Sequence, residues 1–250
     1  ALEHCLRSLN VATDASLEVV LVDNSPEEGT KQVLQSSGFH GHYFPQPENI
    51  GFSKAANFAA QHARGEILCF VHPDVLFEAS SLDRMIAWVE QRPRTIVGPR
   101  QRDPNGDILT SSWPFTDRRA IWGPAEHQGS PWPRASHPYL PWLHSPFQLA
   151  YHNRTATDVH QVPTLASSCM VMPRAVWSEV GDFNESLSYV GLESEWFARA
   201  KELGMTAWYL PEAVVFHEQA VSINRAEGWK VRELTNRDRM WYAKRFGWLA

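Results

Sequence analysis

The order in which apolar runs and helical spacings follow one another restricts the fold of this chain more than any other feature. Apolar residues recur at helical spacing within residues 2–9, and the β-branched run at 17–22 then stops at Asp23 and the turn formers that follow it. Helices are predicted next at 29–36, 53–63 and 80–92, and strands at 42–44, 67–71 and 95–97. Strands that alternate with helices are typical of a mainly parallel sheet covered by helices, so we predict an α/β fold.

The middle of the chain changes character. Residues 103–162 contain many prolines and several tryptophans, as in SPWPRASHPYLPW, and show no sustained period. We predict a long but ordered loop region, because this aromatic content is not typical of disorder. Beyond it, strands are predicted at 168–172, 206–209 and 214–216, and helices from Pro173, at 193–203 before Gly204, and at 227–246. No boundary divides the chain, so we expect one domain, 1–250.

The composition excludes several classes of protein. With 250 residues, 43% hydrophobic and 20% charged, the chain can bury the core of one large globular domain. A net charge of −5 gives no broad basic surface, so we expect no nucleic-acid partner. Three cysteines, odd in number and far apart, suit reduced thiols in the cytoplasm. The longest apolar run, 67–71, is much shorter than the roughly 20 residues that span a bilayer, and no signal segment starts the chain.

Two carboxylates follow predicted strands. Asp23 ends the run at 17–22, and Asp74 follows the buried run at 67–71. In open α/β sheets ligands bind beyond the carboxyl ends of the strands, so one crevice could hold both side chains. Asp74 suits a hard divalent cation such as Mg²⁺ or Mn²⁺, with nitrogen added by His72 or a more distant histidine. The alternative is that Asp74 caps the next turn or helix and that Asp23 forms an Asx turn.

Five blocks carry a recognisable order and spacing. They are LEVVLVDNSPEEGT (17–30), ENIGFSKAANFAAQHARGEILCFVHPDV (48–75), LASSCMVMPRAVWSEVGDFNESL (165–187), GLESEWFARAKELGMTAWYLPEAVVFHEQAVS (191–222) and NRDRMWYAKRFG (236–247). Together they resemble the family 2 glycosyltransferases with the GT-A fold, and most of all the bacterial rhamnosyltransferase-like branch that builds surface polysaccharides. The resemblance covers nearly the whole chain except 103–162.

The resemblance implies an inverting, metal-dependent transfer. A sugar would pass from a nucleotide-diphosphate sugar, of the dTDP-rhamnose or UDP-hexose type, to a hydroxyl of a glycan or lipid-linked glycan. The implied location is the cytoplasm or the inner face of the plasma membrane. The competing interpretation is a catalytically impaired domain of the same fold that binds sugar nucleotides or glycans. A sugar-phosphate nucleotidyltransferase fits the later blocks less well.

The resemblance also assigns residues to the donor. Asp23 matches the aspartate that bonds the base or ribose of the nucleotide. Asn49, Gly51 and Phe52 match the NxGF turn, where glycine lets the backbone approach the ligand. The HPD block matches the acidic metal motif, in which Asp74 keeps the last carboxylate. His72 replaces the first acid and either ligates the cation or lines the pocket.

The remaining assignments concern the metal and the base. His217 matches a histidine that completes the metal site, although it could simply close a strand. Glu193 falls on the usual catalytic aspartate and Glu195 on the second acid of the motif, and we favour Glu193 as the general base. Both side chains are one methylene longer than the aspartates of the family. Alternatively, two acids in the first turn of a helix serve only to stabilise it through its dipole. Ser167 and Ser168 stand where many relatives carry a glycine near the acceptor.

The resemblance divides the chain into a nucleotide-binding half (1–102), the Pro/Trp-rich loop region (103–162) and an acceptor and catalytic half (163–250). Family members begin with a central strand that this sequence lacks, and from this we expect a truncated sequence that is poorly stable alone. The loop region is expected to stack on the acceptor or to pack on the sheet.

The carboxyl-terminal helix is expected to be amphipathic. It would rest on anionic lipid as a peripheral membrane contact, or pack its aromatic side on the domain. Its basic and aromatic side chains, with one just beyond it, are Lys230, Arg232, Arg237, Arg239, Lys244, Arg245, Trp229, Trp241, Tyr242, Phe246 and Trp248.

Overall fold

The computed structural model describes residues 1–24, 29–113, 156–188, 191–218 and 228–246, and side chains of the last range from 233 onward. The helices in these ranges are α1 (Leu2–Ala12), α2 (Thr30–Ser36), α3 (Phe52–His62), α4 (Ser81–Glu90), α5 (Arg174–Val180), α6 (Leu192–Glu202) and α7 (Gly228–Arg245). The strands are β1 (Glu18–Asp23), β2 (His40–Pro45), β3 (Ile67–Val71), β4 (Val75–Phe77), β5 (Thr95–Arg102), β6 (His160–Val162), β7 (Cys169–Pro173) and β8 (Thr206–His217). The predicted helices are all present, and so are the predicted strands, of which the last two form one strand; β4 and β6 were not predicted.

The strands form two sheets. β1 and β2 pair in parallel, and the larger sheet has the order β3-β7-β5-β8-β4 with β6 also on β8. The predicted α/β class is therefore confirmed, but the expectation of mainly parallel pairing is not. In the larger sheet only β5 and β8 run parallel, whereas β7 is antiparallel to both β3 and β5. The alternation of elements did not reveal this direction, because β7 enters the sheet after the long region that the periodicity leaves unassigned.

Two strands are longer than predicted. β5 continues from the expected end at 97 to Arg102, and β8 is one strand where two were predicted. Their pairing passes from Pro99 opposite Leu210 to Arg100 opposite Val214, so β8 carries extra residues at a bulge. Prolines near this bulge made both strands look interrupted in the sequence. β6 lies inside the predicted loop region, of which residues 114–155 fall outside the described part.

The larger sheet buries both of its faces. Period-2 alternation sends Val97 and Val171 toward α1 and α4, where they pack among Leu6, Leu82 and Met85. The neighbouring positions Ile96, Met170 and Met172 face α3, α5 and α6, where they meet Trp177 and Trp196. Strands covered on both faces place their polar side chains at their ends, and this is where the site lies.

The helix α7 packs on the domain through one side. Asp238, Tyr242 and Ala243 are buried, whereas Met240 is 39% and Phe246 is 51% exposed. Tyr242 therefore packs against the domain, as expected if the aromatic side of the helix faces the domain. No helix in the described ranges is both long enough and apolar enough to cross a bilayer.

Candidate functional site

Three side chains that are distant in sequence meet at the ends of β3, β4 and β8. β3 ends at Val71, and Val75 at the start of β4 pairs with His217 at the end of β8. This register brings Asp74 to His217, with 3.4 Å between Asp74 Oδ1 and His217 Nε2. One ligand atom each of His72, Asp74 and His217 lies within 4.8 Å of the other two.

Burial sets the protonation of this cluster. Burial and the neighbouring His217 lower the pKa of His72 to about 4, so its imidazole is neutral at physiological pH. Burial alone would raise the pKa of Asp74, but its interaction with the neighbouring His217 outweighs burial and holds that pKa below its ordinary value. The cluster thus offers one carboxylate and two imidazoles.

One atom of the cluster points to a ligand. His72 Nε2 is buried and has no hydrogen-bond partner among the described residues. Such atoms are costly unless something binds them, by about 1–3 kcal/mol each. One oxygen and two nitrogen donors around a shared space suit Mn²⁺ better than Mg²⁺, which prefers oxygen alone. The residues present therefore fit a divalent cation, and His72 is as well placed to ligate it as the two residues predicted to do so.

A buried glutamine supports His217 from behind. Gln101, on the extended part of β5, is 1% exposed, and its Oε1 accepts from His217 Nδ1 at 3.1 Å. Its Nε2 donates to Ser168 Oγ at 2.9 Å. Ser168 in turn accepts the backbone N–H of His72 at 2.9 Å through its carbonyl oxygen. Sequence reasoning missed Gln101 because the strand was predicted to end before it.

Asp23 lies buried at the end of β1. Its Oδ2 accepts from the hydroxyl of Tyr43 at 2.9 Å, and its carbonyl oxygen accepts from the N–H of Gln46 at 2.9 Å. Tyr43 and Gln46 belong to β2 and the residue that follows it, so the carboxyl ends of β1 and β2 are joined here. The Asx turn considered for Asp23 would include Asn24 and Ser25, and Ser25 lies outside the described residues.

The NxGF turn links Asp23 to the histidine cluster. The Asn24 side chain donates to the Gly51 carbonyl oxygen at 3.3 Å, and the N–H of Gly51 donates to Asn49 Oδ1 at 2.9 Å. Phe52 then begins α3, and its ring packs edge-on against His72 with 5.4 Å between ring centroids. The predicted donor residues therefore follow one another along a single edge of the fold, from the end of β1 to the end of β8.

The two glutamates of α6 have different partners. Glu193 Oε1 accepts from Ser167 Oγ at 2.8 Å. Ser167 directly precedes Ser168, which binds Gln101. Both oxygens of Glu195 instead accept from Arg199, each at 3.0 Å. A carboxylate with both oxygens engaged by one guanidinium is less available to the hydroxyl of an acceptor. The geometry therefore favours Glu193 over Glu195 as a base.

α7 holds the start of α6 in place. Both oxygens of Asp238 accept from the N–H of Ser188, at 3.2 and 3.0 Å, and the Tyr242 hydroxyl donates to the Gly191 carbonyl oxygen at 2.5 Å. Gly191 precedes α6 with a φ of +75°, and a Cβ there would lie 2.5 Å from the Tyr242 ring. Only glycine suits this position, two residues before Glu193.

The start of the Pro/Trp-rich region is joined to the segment before β7. The N–H of Trp113 donates to Thr164 Oγ1 at 3.0 Å, and the Thr164 hydroxyl donates to the Trp113 carbonyl oxygen at 2.6 Å. Residues 114–155 of the predicted acceptor region fall outside the described residues. The segment that holds Trp113 also carries Ser167, the hydrogen-bond partner of Glu193.

A buried asparagine of α3 has a structural role. Asn57 is 2% exposed, donates to the Phe183 carbonyl oxygen at 3.0 Å and accepts from the Phe183 N–H at 2.8 Å. It therefore joins α3 to the segment that follows α5. No signal in a single sequence distinguishes this asparagine from an exposed one.

Known proteins resemble this chain in sequence. The family described as glycosyl transferase family 2 matches residues 1–180. The N-acetylglucosaminyl-diphospho-decaprenol L-rhamnosyltransferase of Mycobacterium tuberculosis is 27% identical over 243 residues, which cover 90% of this chain and 74% of that protein.

Solved structures resemble it in fold. They include GalNAc-T7 with UDP, GalNAc and Mn²⁺ (TM-score 0.55, 15% identity), a mannosyltransferase from Pyrobaculum calidifontis with GDP-Man and Mn²⁺ (0.57, 16%) and S. aureus TarS with UDP-GlcNAc (0.56, 15%). The likeness covers 80%, 87% and 90% of this chain but only 37%, 52% and 57% of those structures. These likenesses confirm the predicted GT-A fold.

Proposed function

This chain belongs to glycosyl transferase family 2, and on that premise we propose that it transfers a sugar from a nucleotide-diphosphate sugar to a hydroxyl of a glycan. The observation that carries the proposal is the convergence of His72, Asp74 and His217 at the edge of the sheet. The family motif for the metal and diphosphate falls on that edge, and the buried, unpartnered nitrogen of His72 supports a bound cation there.

The donor would bind along the edge from β1 to β8. We assign Asp23 to the nucleoside, the backbone at Gly51 to the diphosphate, and His72, Asp74 and His217 to a divalent cation. A cation bound there would stabilise the negative charge that develops on the departing nucleoside diphosphate. The first turn of α3, which has no side-chain cap among the described residues, would add its N–H groups on the same side.

The acceptor would approach from α6. Glu193 removes the proton from the acceptor hydroxyl as that oxygen attacks the anomeric carbon, and the bond to the diphosphate breaks on the opposite side. This single displacement inverts the configuration of the anomeric carbon. Ser167 holds Glu193 through its 2.8 Å hydrogen bond and so orients the carboxylate before the acceptor arrives.

The relative from Mycobacterium tuberculosis suggests the substrates. Its name describes rhamnosyl transfer to N-acetylglucosaminyl-diphospho-decaprenol, so we propose dTDP-rhamnose as the first donor to test and a lipid-linked glycan as acceptor. Such an acceptor would place the protein at the cytoplasmic face of the plasma membrane, in synthesis of a surface polysaccharide. The exposed Met240 of α7 and Phe246, the residue that follows α7, would then be candidates for lipid contact.

A transfer assay tests the proposal. The purified protein is incubated with an N-acetylglucosaminyl-diphospho-lipid and with dTDP-rhamnose, UDP-glucose or UDP-galactose, in Mn²⁺, Mg²⁺ or EDTA. We expect a metal-dependent product whose new anomeric centre is inverted, as read by NMR. Asp74→Asn should abolish metal-dependent donor binding, whereas Asp107→Asn, an exposed turn carboxylate, should not.

Other outcomes would change the interpretation. Equal transfer in EDTA would exclude the metal role. Donor binding without transfer to any acceptor would favour the competing function, a sugar-nucleotide-binding domain, for which the lengthened side chains at Glu193 and Glu195 already give a reason.

A further inference from the structure

We propose that Gln101 is a positioning residue that holds His217 in the tautomer with its proton on Nδ1, so that the Nε2 lone pair faces Asp74. This inference rests on the proposed function, because it concerns the same cation site. It adds to that site a residue that neither contacts the donor nor ligates the cation.

The distances decide where the proton of His217 lies. A neutral imidazole has one N–H, and His217 has two neighbours that compete for it. Gln101 Oε1 is 3.1 Å from Nδ1, within the range of an N–H···O hydrogen bond, whereas Asp74 Oδ1 is 3.4 Å from Nε2, beyond it. The proton therefore lies on Nδ1. Nε2 and Asp74 then face each other as two acceptors, an arrangement that a cation between them would satisfy.

Ser168 Oγ contacts both polar atoms of the Gln101 amide. The amide nitrogen donates to Ser168 Oγ at 2.9 Å, the same hydroxyl lies 3.1 Å from Oε1, and both residues are buried. An amide turned the other way would direct its nitrogen at Nδ1 and force the proton onto Nε2, toward Asp74. The orientation of the Gln101 amide therefore chooses between a cation site and an Asp–His hydrogen bond.

The same pair couples the two histidines. The carbonyl oxygen of Ser168 accepts the backbone N–H of His72 at 2.9 Å, while its hydroxyl supports Gln101. One residue of the loop before β7 thus braces both candidate nitrogen ligands, the ring of His217 and the backbone of His72. Groups behind metal-binding histidines typically change metal affinity by about 10- to 100-fold when they are removed.

The tautomer is measured without metal. Long-range ¹H–¹⁵N NMR of the metal-free protein at about pH 8, where an ordinary imidazole is neutral, should show His217 protonated on Nδ1. The signal is assigned by its loss in His217→Asn. In Gln101→Met the proton should move to Nε2, while Gln101→Glu, which keeps an acceptor, should retain it on Nδ1. A wild-type His217 protonated on Nε2 would overturn the inference.

Metal affinity gives the second measurement. Mn²⁺ titration followed by EPR should show affinity reduced about 10- to 100-fold in Gln101→Met and restored in Gln101→Glu. Gln161→Met, the same change at an exposed position on β6, is the matched control. Unchanged tautomer and affinity in a folded Gln101→Met would refute the inference while the proposed function stands. If the wild type binds no Mn²⁺, the metal role in the proposed function fails, and the NMR result alone decides the position of the proton.

Discussion

The sharpest test of the site is the replacement of Glu193 by glutamine. The Glu193→Gln side chain keeps its shape and can still accept from Ser167 through its amide oxygen, so the loop before β7 should not move. What it loses is the ability to accept a proton from the acceptor hydroxyl. The proposed mechanism therefore predicts a loss in kcat with no change in donor affinity.

The size of the loss follows from the role of the residue. A positioned general base contributes about 10²- to 10⁴-fold to the rate. At about 1.36 kcal/mol for each tenfold, this is roughly 2.7–5.5 kcal/mol of the barrier. Transfer to the lipid-linked acceptor at saturating donor gives kcat, and calorimetric titration with donor and Mn²⁺ gives the affinity.

Glu195→Gln is the matched control on the same helix. Glu195 is engaged by Arg199 through both oxygens, so its replacement should change kcat less than about threefold. The lost ion pair, an i,i+4 pair on a helix, should lower the free energy of unfolding by about 0.5 kcal/mol. Near-normal transfer by Glu193→Gln, or an equal loss in both variants, would refute the assignment of the base.

Four other predictions concern stability and reactivity. Gly191→Ala should lower the free energy of unfolding about 1–3 kcal/mol more than Gly204→Ala, since both glycines have positive φ but only the first methyl would meet the Tyr242 ring; equal urea midpoints would contradict this. Cys5 should resist iodoacetamide at about pH 8, because burial raises its pKa to about 12. Rapid labelling of the folded protein, seen by mass spectrometry, would disprove the burial of Cys5. The free energy of unfolding should also fall above pH 9, where the Cys5 thiol ionises in the unfolded protein but not in the folded one. Asn57→Ala should lower the free energy of unfolding by about 2–4 kcal/mol with donor affinity unchanged, since it leaves buried backbone groups after α5 unpaired.

The sequence predicted local structure well. Apolar periodicity and turn residues are properties of neighbouring residues, and they placed the helices and most of the strands, but they missed β4 and β6 and shortened or divided β5 and β8. The pairing of Asp74 with His217 is different, since the two are far apart in the chain. It came from the family resemblance, and the register of β4 with β8 supplies its physical reason.

The residues that the sequence did not reveal depend on tertiary partners. Gln101 belongs to a strand only because β5 pairs with β8 beyond Pro99, where the local pattern reads as a break. The direction of β7 is set by packing between β3 and β5 rather than by its own residues. Asn57 resembles any polar residue on a helix until Phe183, distant in sequence, provides its partners.

The hydrogen bonds from α7 to the segment before α6 have a consequence for synthesis of the protein. A ribosome extends the chain from its amino end, so Glu193 emerges well before Asp238 and Tyr242, which fasten the turn in front of it. Until those later residues leave the exit tunnel, the turn in front of the proposed base is not yet anchored. We therefore expect the proposed site to be complete only after α7 has been synthesised.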